Sequence, residues 1–228
     1  MTNSKTSLEH ILKAHDFHPV VPKEMQFGAG YIVDLTPSSD LWRMVTAEHS
    51  FADEIVNRAV ATNAMVVIGR YAEHRLIYQD KANFTDSPDR TVHMAIDLGL
   101  PAGTTVYAPL DGEVFGIANH TADGDYGPTV ILKHELEDHI FYTLYGHCAT
   151  EYLSTLTVGQ KITAGQQFTA IGKTEENGGW APHLHFQIIK DMGDYSNDYP
   201  GVIDPEHLDF YQDNCPNPNL ILKRSDLD

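Results

Sequence analysis

The sequence has few cysteines, no long hydrophobic run and few basic residues. Only two of its 228 residues are cysteines, Cys148 and Cys215, too few for a disulfide framework. No segment approaches the roughly 18 consecutive apolar residues that a membrane-spanning helix needs. Residues 1–22 lack the continuous apolar stretch of a signal peptide. The sequence therefore predicts a cytoplasmic protein with reduced thiols and no membrane segment.

Basic residues are outnumbered by acidic ones. Lys and Arg total 15 against 32 Asp and Glu, which gives a formal net charge of −17. A negative field of this size repels polyanions, and no basic run is interleaved with aromatic residues as in nucleic-acid tracks. These features disfavour nucleic acids and anionic membranes as partners. They leave the oligomeric state open.

The composition changes twice along the chain. Residues 1–88 mix helical and strand patterns, which predicts an N-terminal α/β extension packed on a core. Residues 89–192 contain short segments rich in β-branched and aromatic residues, bounded by Gly, Pro, Asn and Asp, and this pattern predicts antiparallel strands. Residues 193–228 are rich in Asp, Asn, Pro and Tyr and predict an irregular C-terminal wrap. The chain is thus expected to be mainly β, and α+β overall.

Strand periodicity brings polar side chains together in two of these segments. Alternate residues of a strand face the same side, so His93 and Asp97 should share one face of their segment. In the sequence His-Leu-His-Phe-Gln-Ile, His183 and His185 should share a face in the same way. In the first segment, which runs from Val92 to Leu98, the opposite face carries Val92, Met94, Ile96 and Leu98; in the second it carries Leu184, Phe186 and Ile188. These apolar residues should face the core. Each of two segments therefore presents a polar pair.

A third segment ends in His147, so five polar groups from three strands are available. Two imidazoles and one carboxylate can supply three zinc ligands and leave the fourth tetrahedral position for water. His93, Asp97 and His185 are the candidates for these ligands. An isolated His-x-His pair is more often part of a half-buried strand, so spacing alone leaves the metal-site and structural interpretations nearly even.

Several motifs between residues 90 and 190 occur in an order that resembles one known family. They are His93-Met94-Ala95-Ile96-Asp97, Pro101-Ala102-Gly103-Thr104-Thr105-Val106-Tyr107-Ala108-Pro109, Asp111-Gly112-Glu113-Val114, Tyr145-Gly146-His147 and Pro182-His183-Leu184-His185-Phe186. Together they resemble the lysostaphin or LytM-type metallopeptidase domain. The resemblance covers less than half of the chain, but the combined motifs are specific. The remaining residues are similar to a branch in which such domains are fused to aminotransferase modules.

This resemblance implies a fold, a cofactor and a reaction. The implied fold is an antiparallel β barrel-sandwich hybrid core, here with an N-terminal extension that contains helices. The implied activity is that of a zinc metalloendopeptidase, with one Zn²⁺ per chain held by His93, Asp97 and His185. His147 and His183 would be the catalytic histidines that assist a zinc-activated water. The implied substrate is a peptide, with peptidoglycan-derived muropeptides among the candidates.

One position departs from the family pattern, because Ala95 stands where the family usually has Gly. Strand periodicity places its methyl group on the ligand face, where we expect it to narrow the approach to the metal. This disfavours the glycine-bridge specificity of lysostaphin itself. Two alternative functions stay open: a zinc hydrolase of a non-peptide small molecule, and a non-catalytic binding module whose site is occluded by the N-terminal region.

Overall fold

The computed structural model describes residues 6–44, 46, 50–79 and 81–227. Within these residues the fold is mainly β, as the sequence predicts. The strands are β1 (Gly30–Ile32), β2 (Val66–Gly69), β3 (Glu73–His74), β4 (Val92–His93), β5 (Ile96–Gly99), β6 (Thr105–Tyr107), β7 (Gly112–His120), β8 (Gly127–Leu136), β9 (His139–Gly146), β10 (Lys161–Ile162), β11 (Gln167–Ala170), β12 (His183–Ile189) and β13 (Val202–Ile203). The helices are α1 (Leu8–Ala14), α2 (Lys23–Gln26), α3 (Phe51–Ala61), α4 (Leu208–Asn214) and α5 (Asn219–Leu222). Short 3-10 helices span Asp40–Arg43, Ala82–Phe84, Thr150–Thr155 and Pro205–His207. None of the helices in this part of the chain has the length and hydropathy to cross a membrane.

The main sheet has eight strands in the order β1-β2-β5-β12-β9-β8-β7-β10. The β1–β2 pair is parallel and the other neighbouring pairs are antiparallel. Over the described strands this sheet is open, with β1 and β10 at its two edges. Two small sheets, β11-β6 and β13-β4-β3, flank it.

The N-terminal region takes part in the main sheet. Strand β2 pairs with β5, so Val67 lies opposite Gly99 and Gly69 opposite Asp97. Helix α3 begins after Ser50, whose side chain accepts a hydrogen bond from the backbone of Asp53 in a capping box. This helix contacts β1 and β2. The region thus extends the sheet on the side of β5.

The C-terminal segment 193–228 contains β13, α4 and α5 in addition to irregular stretches. Its last helix is tied to the N-terminal region, because Gln26 donates a hydrogen bond to the carbonyl of Leu222. Arg224 donates to the carbonyl of Gln26. The exact limits of the three predicted segments, 1–88, 89–192 and 193–228, stay predictions.

The largest core cluster lies on the face of the main sheet away from the histidines. Leu98, Leu184 and Phe186 are each 1% exposed or less and belong to this cluster. They are the apolar residues that periodicity assigns to the core. Complete burial of each such side chain stabilises the fold by roughly 1.5–3 kcal/mol. The core therefore holds β5 and β12 with their polar residues on the opposite face.

The continuous strand expected from Val92 to Leu98 is wrong in detail. The chain leaves the small sheet after His93 and enters the main sheet at Ile96. The Met94 N–H still donates to the carbonyl of Gly201 at 2.8 Å, next to the pair of His93 with Val202, so the chain crosses to the main sheet between Met94 and Ile96. Ala95 is fully buried at this break and does not line the cleft beside the histidines. Its methyl group therefore does not narrow the approach to the candidate metal site.

Candidate metal centre

Three neighbouring elements bring the predicted ligands together. His185 on β12 lies directly opposite Asp97 on β5 in the antiparallel register. His93 ends β4, at the break that precedes β5. His147 follows the last residue of β9, and β9 is the other neighbour of β12. All five residues predicted for the site line one cleft of about 640 Å³.

His93, Asp97 and His185 form a compact triangle of ligand atoms. Nε2 of His93 is 3.1 Å from Oδ1 of Asp97 and 3.1 Å from Nδ1 of His185. The third side, from Oδ1 of Asp97 to Nδ1 of His185, is 3.5 Å. Tetrahedral zinc with bonds of about 2.0–2.1 Å separates its ligands by about 3.3–3.4 Å. The triangle matches that separation to within a few tenths of an ångström.

Outer hydrogen bonds orient both histidine rings toward the centre of the triangle. Nδ1 of His93 lies 3.2 Å from the carbonyl oxygen of Arg70, and that oxygen can only accept. Nε2 of His185 lies 3.1 Å from Oε1 of Gln187, whose amide nitrogen donates to the carbonyl of Pro200. Each ring therefore donates outward and turns its other nitrogen, with the lone pair, inward.

The two oxygens of Asp97 have different surroundings. Oδ2 accepts a hydrogen bond from Nη1 of Arg75 at 2.7 Å. Oδ1 is buried and has no hydrogen-bond partner. A buried carboxylate oxygen that faces two imidazole lone pairs needs a cation or a proton for compensation. This donor set of two nitrogens and one oxygen fits zinc.

Arg75 is a buried cation beside this carboxylate. Its guanidinium also donates to Oε2 of Glu73 at 3.0 Å and to the hydroxyl of Tyr78 at 3.2 Å. Burial by itself raises the pKa of the Asp97 carboxyl, but the charge of Arg75 contributes to holding that pKa well below its usual range. Burial and the same guanidinium lower the pKa of His93 to about 3. The ring is therefore neutral near pH 7, as a metal ligand must be.

His147 and His183 form a second pair beside the triangle. Nδ1 of His147 lies 2.8 Å from the carbonyl of Asn177, and Nδ1 of His183 lies 2.7 Å from the carbonyl of Ala181. Their ring centroids are 4.2 Å apart, and Nε2 of His183 is 3.9 Å from Oδ1 of Asp97. Burial lowers the pKa of both rings. Both are therefore neutral bases whose Nε2 lone pair is available.

His147 adopts a backbone conformation that is uncommon for a residue with a side chain. Its φ of 61° lies in the left-handed region. Backbone hydrogen bonds hold it there, because its N–H donates to the carbonyl of Tyr126 and its carbonyl accepts from Gly172, both at 2.8 Å. Such a local strain is maintained by surrounding structure and is typical of functional sites. Here it turns the ring toward His183 at the end of β9.

Sequence reasoning missed the residues that support the ligands. Arg75 lies outside the motifs, and no periodicity links it to Asp97. The carbonyls of Arg70 and Asn177 carry no side-chain signature at all. Gln187 had a usable signal, since it lies two residues after His185 and so on the same strand face. Tyr126 and Trp180 also line the cleft.

Comparisons with known proteins match the central part of the chain. The model of peptidase family M23 matches residues 91–198. The peptidoglycan DD-endopeptidase ShyA of Vibrio cholerae is 35% identical over 99 residues, which are 42% of this chain and 20% of ShyA. The uncharacterized lipoprotein YgeR of Escherichia coli is 36% identical over 93 residues, 41% of this chain and 33% of YgeR. The chain thus spans a third or less of the length of these relatives.

Solved structures also include similar chains. A zinc-containing peptidase from Vibrio cholerae is 26% identical, with a TM-score of 0.35, over 43% of this chain and 27% of that chain. The catalytic domain of lysostaphin from Staphylococcus simulans is 23% identical, with a TM-score of 0.35, over 54% of this chain and 80% of that chain.

Proposed function

We propose that the chain is a zinc-dependent metallopeptidase that hydrolyses a peptide amide bond, because the model of peptidase family M23 matches residues 91–198. The observation that carries this proposal is the ligand triangle, with Oδ1 of Asp97 buried and without a hydrogen-bond partner. His93, Asp97 and His185 would hold one zinc ion. When bound, zinc supplies Lewis acidity and lowers the pKa of a bound water toward about 7.

His147 and His183 supply the proton transfers in this proposal. Each presents a free Nε2 and keeps Nδ1 on a backbone carbonyl. One Nε2 accepts the proton of the attacking water, and the resulting cationic ring then donates that proton to the departing amine nitrogen. General acid–base catalysis of this kind contributes typically 10²–10⁴-fold to the rate. No glutamate of the His-Glu-x-x-His type is present in the sequence, so the histidines serve as the proton acceptors.

Peptides of peptidoglycan are the first substrate class to test, because ShyA is named a peptidoglycan DD-endopeptidase. A binding module with an occluded site is less consistent with the described residues, since all five site residues line a cleft of about 640 Å³. No contact in the structure favours a non-peptide substrate over a peptide.

The test begins with zinc content by elemental analysis. We expect about one zinc ion per chain in the wild type and none in the His93→Ala, His185→Ala double variant. His147→Ala and His183→Ala should keep the zinc and lose 10²–10⁴-fold in the rate of peptide cleavage, measured by mass spectrometry on a muropeptide digest and a peptide library. His207→Ala, at an exposed histidine, is the control and should behave as wild type. A wild type that takes up no zinc after supplementation would contradict the proposal.

A further inference from the structure

The cleft continues from the metal centre across the sheet toward the N-terminal region. The site face runs from His185 on β12 to Asp97 on β5 and then to Gly69 on β2, which are successive cross-strand partners. Two residues away along each of these strands, His183 on β12 lies opposite Gly99 on β5, and Gly99 lies opposite Val67 on β2. Gly69, Gly99 and Val67 all line the cleft. The floor beside the metal ligands is therefore formed by two glycines and a valine.

The two glycines keep this floor open. A Cβ on Gly69 would lie 2.7 Å from Oδ2 of Asp97 and 2.6 Å from Nη2 of Arg75. A Cβ on Gly99 would lie 3.0 Å from Cβ of Val67. Side chains at these positions would disturb the support of Asp97 or crowd Val67. Their absence leaves space directly next to the metal ligands.

The walls at this end of the cleft are apolar. Val33 and Leu35, which follow β1, belong to one hydrophobic cluster together with Phe51 and Ile55 of α3 and Val67 of β2. These five residues, which we call the apolar arm, all line the cleft. The charged side chains among the described lining residues are Arg75, Lys81, Arg90, Asp97 and Asp125, whereas the five side chains of the arm are all apolar.

Arg75 lies beside Gly69 at the edge of the floor, and its guanidinium already donates four hydrogen bonds. They go to Glu73, Asp97, Tyr78 and the carbonyl of Arg70. An ammonium or carboxylate group of a substrate would lose its hydration among the apolar side chains of the arm. A branched aliphatic or aromatic group would gain from burial at this end.

We propose that the apolar arm is the subsite for a large apolar side chain of the peptide substrate, of the size of leucine or phenylalanine, close to the bond that is cut. This inference rests on the proposed peptidase function, because the arm opens directly onto its metal centre. It assigns substrate selection to α3 and the strands of the N-terminal region. The selected class is a peptide with a large apolar residue.

The test uses dansyl-labelled peptides Gly-Gly-X-Gly-Gly, with X as Gly, Ala, Leu or Phe, and the zinc-loaded protein. Stopped-flow anisotropy in the first second gives the Kd before turnover, and mass spectrometry of the same samples gives hydrolysis. We expect the Kd to be about tenfold lower for Leu or Phe than for Gly, because only part of the energy of full side-chain burial is available in an open cleft.

A matched pair of valines on α3 provides the variants. Val56 and Val60 are 57% and 70% exposed, so a glutamate at either position should not unfold the protein, but only Val56 lines the cleft. Val56→Glu should raise the Kd of the Leu peptide about tenfold and leave that of the Gly peptide unchanged. Val60→Glu should change neither.

The outcomes separate this inference from the proposed function. Equal Kd values for the Gly and Leu peptides, or equal effects of Val56→Glu and Val60→Glu, would overturn the apolar subsite even if peptides are cleaved. A lower Kd for Leu that Val56→Glu abolishes would support the subsite. If no peptide were then hydrolysed, the peptidase proposal would fail, and the arm would remain a binding site for apolar side chains but not a substrate subsite.

Discussion

The Asp97 carboxylate lies between the guanidinium of Arg75 and the position that we propose for the metal. Oδ2 is 2.7 Å from the guanidinium, and Oδ1 points to the two imidazole nitrogens of the triangle. The guanidinium keeps the carboxyl ionised and fixes its orientation. Residues that hold a ligand in this way typically affect metal affinity by 10–100-fold.

Replacement of Arg75 should therefore weaken zinc binding without removing a ligand. For Arg75→Gln we expect the Kd for zinc to rise by about 10–100-fold. Arg75→Lys should have a smaller effect, because an ammonium keeps the charge but cannot form the same set of planar contacts. Competition with a chromophoric chelator measures the Kd, and circular dichroism verifies the fold.

Arg58→Gln is the control for this measurement. Arg58 also pairs with carboxylates, Asp40 at 2.9 Å and Glu54 at 2.7 Å, but it is on α3 and lacks contact with the ligands. Its zinc Kd should equal that of the wild type. An unchanged Kd in Arg75→Gln would show that the carboxylate is oriented without the guanidinium.

At the residue scale, the sequence motifs identified the side chains of the candidate site. They did not identify the groups that hydrogen-bond to those side chains and orient them. His93, Asp97, His147, His183 and His185 were all predicted, and the structure brings them to one cleft. Their roles as ligands and catalytic groups stay predictions. The Asn177 carbonyl supports His147 because the loop that contains Asn177 passes beside the His147 ring. Local residue patterns do not encode such contacts between distant segments.

Strand β8 contains a buried histidine that does not belong to the metal centre. Nδ1 of His134 lies 2.9 Å from the carbonyl of Asp111, and Nε2 lies 2.8 Å from Oγ1 of Thr143. The side chain is 1% exposed. Burial lowers its pKa to about 4, although the hydrogen bond to Asp111 acts in the opposite direction. The strand thus carries a neutral imidazole inside the sheet.

This histidine should make the fold sensitive to mild acid. Below about pH 6.5 the unfolded chain protonates His134, whereas the folded chain does so only near pH 4. The contribution of the neutral His134 to the free energy of unfolding is therefore fully present above pH 6.5 and is lost as the pH falls from 6.5 to 4. The contribution lost from pH 6.5 to pH 5 is about 2 kcal/mol, at 1.36 kcal/mol per pH unit. Urea unfolding at pH 7 and pH 5 measures it.

His134→Gln lacks this titration, so its free energy of unfolding should fall by about 2 kcal/mol less than that of the wild type over the same interval. His207→Gln alters an exposed histidine and should show the wild-type decrease. If His134→Gln and wild type lost the same stability, His134 would not be the source of the acid sensitivity.

At the element scale, the alternation of apolar and polar residues predicted where strands occur, but it did not predict which strands pair with each other. The alternation of Leu184 and Phe186 with the two histidines identified the buried face of β12. The break between β4 and β5 was not predicted, because the spacing of His93 and Asp97 is also that of one face of a continuous strand. The crossing between the two sheets depends on distant partners, Gly201 for Met94 and Phe186 for Ile96.

For the whole molecule, a metal that binds only the folded state should stabilise it. With free zinc at about 1,000 times its Kd, the expected gain is about 4 kcal/mol, and for a chain of this length each kcal/mol corresponds to about 2–4 °C in Tm. Removal of zinc with a chelator should therefore lower the Tm by on the order of 10 °C. Differential scanning calorimetry with and without chelator measures this shift.

The His93→Ala, His185→Ala double variant is the control for chelation. Its Tm should not respond to the chelator, since two of the three ligands are absent. A similar decrease in both proteins would place the stabilising metal elsewhere in the chain.

The pairing of β2 with β5 bears on protein engineering. Strand β5 carries Asp97, and its neighbour on that side, like Arg75, comes from residues before 89. A chimera that borrowed residues 89–192 alone would inherit the candidate metal ligands with an uncovered strand edge and an unsupported carboxylate. The smallest segment that includes both supports, β2 and Arg75, therefore begins at β2.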